Sequence, residues 1–423
     1  MSLTIKSFIA SNGERFSQLY DSEEPGFPLF YPTAYVVRSV RLGASQETQK
    51  VHLEAIKRVC EWEAQKKIDL AMRFQRREFL LPSEIDDLVR HLRAARRGKP
   101  GKTISVSKGN TYISYAAAYL RWLANEVITD ADNPEICQMI MTQDSRLREK
   151  LASKTGSTSA SDHEVLEKHL TEKAREQLLA LFSDPFIRIF RAKDKGSRLR
   201  TIVMLRILYE TGMRRGELLA LKLKHFMESS GGPVARLVIE RNHNDSYDSR
   251  VNQPVAKTLG RIVPITPELE RQIIEYLGEY RALVPDVGFD EDDFIFVTHR
   301  KGRGQGKPLS ISNFDQAVAA LRKLLPALET THPHLLRHDW NFRFSTKADK
   351  NKLNPEKERA IREVLMGWTL NSAMARRYNL RHIQEKALEI GLTVAGDTKR
   401  HSTHTAENFA DARAIGLVKT KDD

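Results

Sequence analysis

Two basic side chains in the segment THPHLLRHDW are spaced for anion chemistry. His334 and Arg337 lie three residues apart, so on a helix they share one face. A planar guanidinium offers paired donors to two phosphate oxygens, and an imidazole exchanges a proton near neutral pH. The pair therefore predicts an anion site. A metal site built from His332, His334 and His338 is the weaker alternative, because neither a nearby cysteine nor an HExxH spacing accompanies them.

The segment TGMRRGELLAL contains a second candidate pair. Gly212 predicts the end of one helix, and Arg214 and Glu217 then lie three residues apart at the start of the next. Two interpretations stay open. The pair is either an exposed ion pair, the common fate of such neighbours, or an arginine held by a carboxylate and directed into a cleft.

Two further positions carry little information when they are taken alone. Lys257, in VAKTLGRIVPI, precedes an apolar β-type segment, and a lone lysine there is ordinarily solvated. Tyr378 follows two arginines in MARRYNL, after the dipeptide Gly367-Trp368. It is either a nucleophile with a lowered pKa or a surface residue.

Composition limits the classes of function. The 423 residues are 40% hydrophobic and 29% charged, which suits two or three globular domains. Lys and Arg number 68 against 55 Asp and Glu, and the net charge of +13 predicts a polyanionic partner, nucleic acid before a membrane. The two cysteines are too few for a disulfide framework or a thiolate metal cluster. No apolar segment is long enough to span a membrane and the start resembles no signal peptide, so we expect a cytoplasmic protein.

Hydrophobic periodicity and loop composition predict the elements that position these residues. We expect the following organisation: an arm at 1–30, a helical unit at 31–153, a flexible linker at 154–164, a mixed unit at 165–395 and a tail at 396–423. In the helical unit, helices are predicted from residue 45 towards 74, from residue 82, and over 112–128. In the mixed unit, helices are predicted over 171–182, 199–211, 267–282, 311–325, 334–346, 355–366 and 372–390. Two strands, 235–241 and 260–266, are joined by an unusually long polar loop.

Taken in order, these residues resemble the signature of the tyrosine recombinases, the phage-integrase family. The order is Arg-x-x-Glu, a lysine before a strand, His-x-x-Arg, Gly-Trp and then tyrosine, over roughly 165–390. TGMRRGELLAL and HLLRH are the most specific pieces, whereas the preceding unit resembles the family's core-binding domain by pattern and position alone. The resemblance implies an α+β, mainly α fold: a helical DNA-binding domain followed by a mixed catalytic domain with a small antiparallel sheet.

The resemblance also implies a role for each residue in cutting and rejoining DNA strands at specific sites. Tyr378 would be the nucleophile, forming a 3′-phosphotyrosyl link and freeing a 5′-hydroxyl. Lys257 would protonate the departing 5′ oxygen, and His334 would assist the attack or position the phosphate.

The remaining site residues would stabilise charge. Arg214 and Arg337 would hold the non-bridging phosphate oxygens in the transition state, so the resemblance implies no metal, ATP or other cofactor. Trp368 stands where many relatives carry histidine and would donate its indole N–H. Glu217 would orient the arginines or the histidine without contacting the phosphate itself.

The implied partners are double-stranded DNA recombination sites, a homotetramer on paired sites and accessory DNA-bending proteins, in a nucleoid-associated location without membrane contact. Basic loops are expected to contact the DNA backbone through the following residues: Arg96, Arg97, Lys102, Arg300, Lys301 and Arg303. The sequence departs from the family pattern in three ways. The loop before Lys257 is unusually long, although the residues that follow Lys257 favour it over Lys222 or Lys224 as the catalytic lysine. The spacing from Trp368 to Tyr378 is one residue longer than usual, and Asp339 stands where a small hydroxyl residue is more usual.

Several other functions compete with recombination. A type IB topoisomerase-like nicking-closing enzyme would use the same residues, and a telomere resolvase is a remoter relative of the same chemistry. A non-catalytic DNA-binding factor on the same fold is disfavoured, because a competent residue fills every proposed catalytic position. An RNA-binding protein is suggested by charge alone.

Overall fold

The computed structural model describes residues 2–23, 26–96, 101–152, 169–188, 191, 194–229, 234–372, 375 and 387–395. Helices dominate this part of the chain, and two large hydrophobic cores organise it, beside a small cluster of Met366, Trp368 and Ala375. One core gathers residues between Leu3 and Leu147, and the other gathers residues between Leu170 and Leu336. The predicted mainly α fold with a small antiparallel sheet is confirmed.

Among its described residues, the first unit contains a hairpin followed by six α-helices. Their bounds are β1 Leu3–Ile9, β2 Arg15–Asp21, α1 Phe30–Tyr35, α2 Gln46–Lys66, α3 Leu70–Gln75, α4 Pro82–Arg93, α5 Val106–Val127 and α6 Pro134–Glu149. The second unit contains α7 Glu172–Ser183, α8 Lys195–Thr211, α9 Arg215–Leu219, β3 Phe226–Met227, β4 Arg236–Ile239, β5 Arg261–Pro264, α10 Pro267–Glu275, α11 Ile311–Leu324, α12 Pro333–Lys350 and α13 Pro355–Met366. Single π-helical turns, Val36–Val40 and Tyr276–Arg281, continue α1 and α10.

The N-terminal segment differs from the irregular arm expected from the sequence. Strands β1 and β2 form an antiparallel hairpin in which Leu3 pairs with Asp21 and Ile9 with Arg15. Buried and partly buried positions alternate along β2 as far as Leu19, yet two of the buried residues are the polar Arg15 and Ser17. Because polar side chains occupy the inward face, hydrophobicity alone did not reveal the strand period.

The first long helix also ends earlier than predicted. Helix α2 stops at Lys66 because Lys67 adopts a left-handed conformation, with φ of 55°. A separate helix, α3, then begins at Leu70, and Asp69 caps it by accepting from the Met72 amide. A non-glycine residue in this conformation is uncommon, so no local feature of the sequence predicted the break. The predicted start at Pro82 is confirmed, and α6 was not predicted.

The second unit is built around α8, which is buried along most of its length. The three strands lie in the order β3–β4–β5, all antiparallel, with Leu237 opposite Val263. Helix α12 packs against α8 and carries Asp339, whose side chain is fully buried. The Asp339 carboxylate accepts from the Leu170 amide at 3.1 Å and the Arg175 guanidinium at 3.0 Å. This acid therefore fastens the chain before α7 onto α12, which explains a residue that departs from the family pattern.

Most predicted elements of the second unit agree with the structure to within a few residues. Helix α13 has the predicted bounds, and the strands at 236–239 and 261–264 lie inside the predicted segments. The predicted linker, 154–164, and most of the predicted helix 372–390 lie outside the described residues, as does the tail at 396–423.

Candidate active site

The turn between α8 and α9 brings the two predicted arginines together. Gly212 ends α8 with φ of 64°, and a Cβ atom there would lie 2.8 Å from the Trp340 ring, so glycine is required. The Gly212 carbonyl accepts from Arg337 Nη1 at 2.6 Å. Arg214 follows two residues later, as the N-cap residue of α9. One backbone turn therefore positions both guanidinium groups that the sequence assigns to phosphate binding.

Glu217 is the centre of this arrangement. Its carboxylate is fully buried, and it accepts from the Arg214 amide at 2.9 Å and from the Thr258 hydroxyl at 2.5 Å. It also forms an ion pair with Arg261 Nη2 at 2.8 Å. The Arg214 guanidinium makes only a long contact with it, 3.5 Å from Nη1, and the Arg214 side chain is 34% exposed. Glu217 therefore fixes the backbone of Arg214 while leaving the guanidinium accessible.

The charge state of Glu217 follows from these contacts. Burial opposes ionisation of the carboxyl group, but the charge of Arg261 and hydrogen bonds from Arg261, Thr258 and the Arg214 amide outweigh it. The pKa of Glu217 is accordingly lowered below its usual value. The carboxylate is therefore ionised at neutral pH, as an acceptor of several hydrogen bonds must be.

The loop that carries Lys257 reaches the same centre. Thr258, the next residue, is the one that donates to Glu217, and the Leu259 amide donates to the Gly367 carbonyl at 3.0 Å. Gly216 approaches the loop closely, since a Cβ atom there would lie 2.7 Å from the Val255 carbonyl oxygen. Lys257 itself is exposed beside these buried neighbours. Its backbone is thus tied to both the arginine turn and the Gly367 turn.

The rival lysines are already engaged elsewhere. Lys222 is buried, and its ammonium forms ion pairs with Asp245 at 3.0 Å and Asp292 at 3.1 Å. Lys224 also pairs with Asp292, at 2.9 Å. These contacts favour Lys257 as the catalytic lysine, and this assignment remains a prediction.

The remaining predicted residues surround Arg337. It is buried on the first turns of α12, and its guanidinium carbon lies 5.5 Å from the Trp368 ring centre. His334, one turn earlier on α12, is exposed, and its ring contacts the buried His338 edge-on at 4.3 Å. The start of α12 therefore presents an imidazole, a guanidinium and the positive end of the helix dipole to one region.

Some predicted residues are not placed in this site. Tyr378 and Arg97 lie outside the described residues. Arg96 pairs with Glu61 at 2.7 Å and Glu54 at 3.4 Å, which lowers its capacity to bind a phosphate. The other basic residues predicted to contact DNA are exposed: Lys102, Arg300, Lys301 and Arg303. Their role in DNA binding stays a prediction.

Arg261 and Thr258 are parts of the site that the sequence did not reveal. Arg261 is 8% exposed and links Glu217 to the Leu365 carbonyl, 2.7 Å from its Nε, at the end of α13. It therefore connects the arginine turn to the helix that precedes Trp368. The only sequence signal was a charged residue at the start of an apolar strand, a position where arginine is ordinarily exposed.

Glu217 offers a direct test of this centre. We expect Glu217→Gln to lower the free energy of unfolding by about 3 kcal/mol, because it leaves the buried Arg261 without its counter-charge. Urea unfolding of both proteins measures the difference. Glu268→Gln is the matched control, since its pair with Arg271 is exposed and should change stability by less than about 0.5 kcal/mol. An equal loss in both variants would show that Glu217 does not organise the site.

Acid should weaken the same interaction. Because the pKa of Glu217 is lower in the folded protein than in the unfolded chain, its contribution is present above the unfolded value, near 4.5. The contribution is lost as the pH falls through the lower folded value. The stability difference between the wild type and Glu217→Gln should therefore shrink in acid.

Among the described residues, no group of three His, Cys, Asp or Glu side chains is arranged to hold a metal ion. In the same part of the chain, no helix combines the length and the apolar character that crossing a membrane requires.

Comparison with known proteins extends these observations. The chain is 27% identical over 219 residues to the tyrosine recombinase XerD of Halalkalibacterium halodurans, covering 52% of this chain and 60% of that protein. Two solved structures of the XerH site-specific recombinase bound to difH substrates, one before and one after cleavage, share the fold. Each gives a TM-score of 0.50, at 16% and 18% identity, with 85% and 86% of this chain and 84% of theirs covered.

The phage integrase family model matches residues 168–385, more than half of the chain. The matched region contains the turn at Gly212, the Glu217 centre, the loop with Lys257, the start of α12 and Tyr378. The resemblance found in the sequence is thereby confirmed, and the chain belongs to the phage integrase family.

Proposed function

We propose that this protein is a site-specific DNA recombinase that cuts and rejoins DNA strands through a 3′-phosphotyrosyl intermediate. The observation that carries the proposal is the Glu217 centre. It gathers Arg214, the Lys257 loop and, through Arg261, the turn before Trp368, while the Gly212 carbonyl holds Arg337 beside them. These are the groups that a phosphoryl transfer needs, supplied from four separate stretches of the chain.

The reaction follows from the chemistry of these groups. The Tyr378 oxygen attacks phosphorus and its proton passes to His334 or water, while the bond from phosphorus to the 5′ oxygen breaks. Lys257 protonates that oxygen, which would otherwise leave as an unstable alkoxide. Arg214 and Arg337 stabilise the extra negative charge on the non-bridging oxygens. Attack by a 5′-hydroxyl from a partner strand then reverses these steps, so strands exchange without an external energy source.

The proposed partner is double-stranded DNA carrying the recombination sites, bound with the steep salt dependence of a basic protein. We propose a homotetramer on paired sites, aided by accessory DNA-bending proteins, at the nucleoid in the cytoplasm. Exposed apolar side chains on the helical residues 387–395 support contacts between subunits. Leu388 and Leu392, one turn apart, are 65% and 72% exposed.

Capture of covalently attached DNA tests this function. Cells that contain the wild-type protein are lysed in denaturant, the protein is purified, and the DNA that remains attached is sequenced. We expect a single recurring sequence joined through its 3′ end, with a free 5′-hydroxyl on the opposing end. Because these intermediates are short-lived, the assay is repeated with nicked duplexes of the DNA that the protein retains after native purification, from which the religating strand is lost. A blank in both assays while DNA binding is intact would favour a non-catalytic DNA-binding factor.

A further inference from the structure

The connection between β4 and β5, residues 240–260, is called the lysine loop because it carries Lys257. Adjacent antiparallel strands are usually joined by two to five residues. Because this loop is much longer, it needs additional contacts to hold its conformation. Some of these contacts are made within the second unit. Arg250 forms an ion pair with Asp248 at 2.7 Å and donates to the carbonyls of Leu219 at 3.0 Å and Leu309 at 2.7 Å.

A second set of contacts comes from the N-terminal hairpin, β1 and β2, which packs in the core of the other unit. Arg15 of β2 is only 4% exposed, and its guanidinium donates to three carbonyls of the lysine loop. These are the carbonyls of Arg250, 3.1 Å from Nε, of Asp245, 3.2 Å from Nη1, and of Asp248. A planar fork that reaches three carbonyls fixes the loop backbone rather than a single side chain.

The shape of the hairpin turn fits the same loop. Gly13 has φ of 81°, and a Cβ atom there would lie 2.6 Å from the Asn244 carbonyl oxygen and 2.7 Å from the Ser246 amide. No larger residue could occupy this position without moving one backbone or the other. The hairpin and the lysine loop are therefore in direct backbone contact.

The hairpin is itself anchored to the helical unit. Glu14 accepts from Arg41 Nε at 2.5 Å and from Nη2 at 2.7 Å, a two-point ion pair just after the π-helical turn that follows α1. Lys50 of α2 adds a contact to the lysine loop, with its ammonium on the Asn252 side-chain oxygen. Side chains from both units thus hold the lysine loop at positions that precede Lys257.

Hydrogen bonds within the lysine loop connect these contacts to Lys257. Asn242 accepts from the Ala256 amide at 3.2 Å and donates to the Pro254 carbonyl at 3.4 Å, and its own carbonyl accepts from Gln253. These bonds tie the start of the loop to the residue that precedes Lys257. A displacement of residues 245–250 would therefore also move the lysine.

We propose that Arg15 is a positioning residue for strand cleavage: it holds the lysine loop so that Lys257 meets the departing 5′ oxygen. The inference rests on the proposed function and deepens it, because it assigns to the N-terminal hairpin a part in proton delivery. It also makes the helical unit necessary for the chemistry and not only for DNA binding. Removing Arg15 would leave three carbonyls without their donor and weaken the attachment of the loop to the hairpin.

The test uses the leaving group. A DNA substrate with sulfur in place of the bridging 5′ oxygen expels a thiolate, which is stable without protonation because a thiol is a much stronger acid than an alcohol. Such a substrate does not require Lys257. We therefore compare Arg15→Ala, Lys257→Ala and the wild type, in the full-length protein, on the oxygen and the sulfur substrates. The readout is the rate of covalent adduct formation on the captured recombination site.

On the oxygen substrate, we expect Lys257→Ala to slow adduct formation by roughly 10²- to 10⁴-fold and Arg15→Ala by about 10²-fold. On the sulfur substrate, both variants should return to within about threefold of the wild type, since only the proton donor is displaced. The control Arg38→Ala removes an exposed arginine whose partner, Glu126, lies in the same unit. We expect it to match the wild type on both substrates.

Other outcomes would overturn the proposal. An Arg15→Ala defect of equal size on both substrates would mean that Arg15 serves general folding or DNA binding, and an undiminished rate on oxygen would mean that the contact has no role. Arg15→Lys, which keeps the charge but loses the fork, is a milder variant should Arg15→Ala not fold, and the same sulfur rescue is expected. A wild type that forms no adduct with either substrate would instead contradict the proposed function itself.

Discussion

A Tyr378→Phe variant is expected to form no covalent adduct with DNA while binding DNA with the affinity of the wild type. The substitution removes one oxygen atom, which is the atom that bonds to phosphorus in the proposed reaction. The loss should be complete, because no step of strand exchange proceeds without that bond. Adduct formation is measured on denaturing gels with the captured recombination site, and affinity is measured by titration of the same DNA.

Tyr280→Phe is the matched control for this prediction. Tyr280 lies in the π-helical turn that follows α10, and its ring packs against Phe186, so the change removes one phenolic hydroxyl outside the proposed site. We expect normal adduct formation from it. Adducts that persist in Tyr378→Phe at the wild-type rate would assign the nucleophile to another residue.

The second large effect concerns the transition state. We expect Arg337→Ala to slow cleavage by about 10³-fold, because removing one donor to a developing oxyanion costs roughly 10²- to 10³-fold and this donor also carries a full charge. Binding of uncut DNA should weaken much less, since one phosphate contact among many is lost. Single-turnover cleavage and DNA titration measure the two effects separately.

Two variants sharpen the Arg337 prediction. Lys347→Ala removes an exposed charge from the same helix and should leave cleavage unchanged. Arg337→Lys keeps the charge but cannot donate both to the Gly212 carbonyl and in a fork to phosphate, so an intermediate rate is expected. Cleavage that falls only in proportion to DNA affinity would make Arg337 a binding residue and not part of the transition-state site.

Much of the site could be predicted because local signals and chemical logic coincide there. Gly212 marks a helix end, and the three-residue spacings place Arg214 with Glu217 and His334 with Arg337 without knowledge of the fold. Each of these spacings spans about one helical turn and can therefore be interpreted from the local sequence. The order of these pieces along the sequence then resembles that of a family whose chemistry needs all of them.

The parts that sequence reasoning missed depend on contacts between distant segments. Arg261 belongs to the candidate site only because β5 brings it against Glu217, 44 positions earlier, and nothing local distinguishes it from an exposed arginine. The hairpin was hidden because Arg15 faces inward, which is intelligible only once the carbonyls of the lysine loop are seen around it. Asp339 likewise makes sense only through its bonds to Leu170 and Arg175.

Mapping the protein–DNA bond tests directly whether Tyr378 forms the covalent link to DNA. The captured adduct is digested with nuclease and protease, and the modified peptide is identified by mass spectrometry. We expect a nucleotide attached through its 3′-phosphate to Tyr378. A nucleotide joined to any other residue, or joined through its 5′-phosphate, would contradict this assignment.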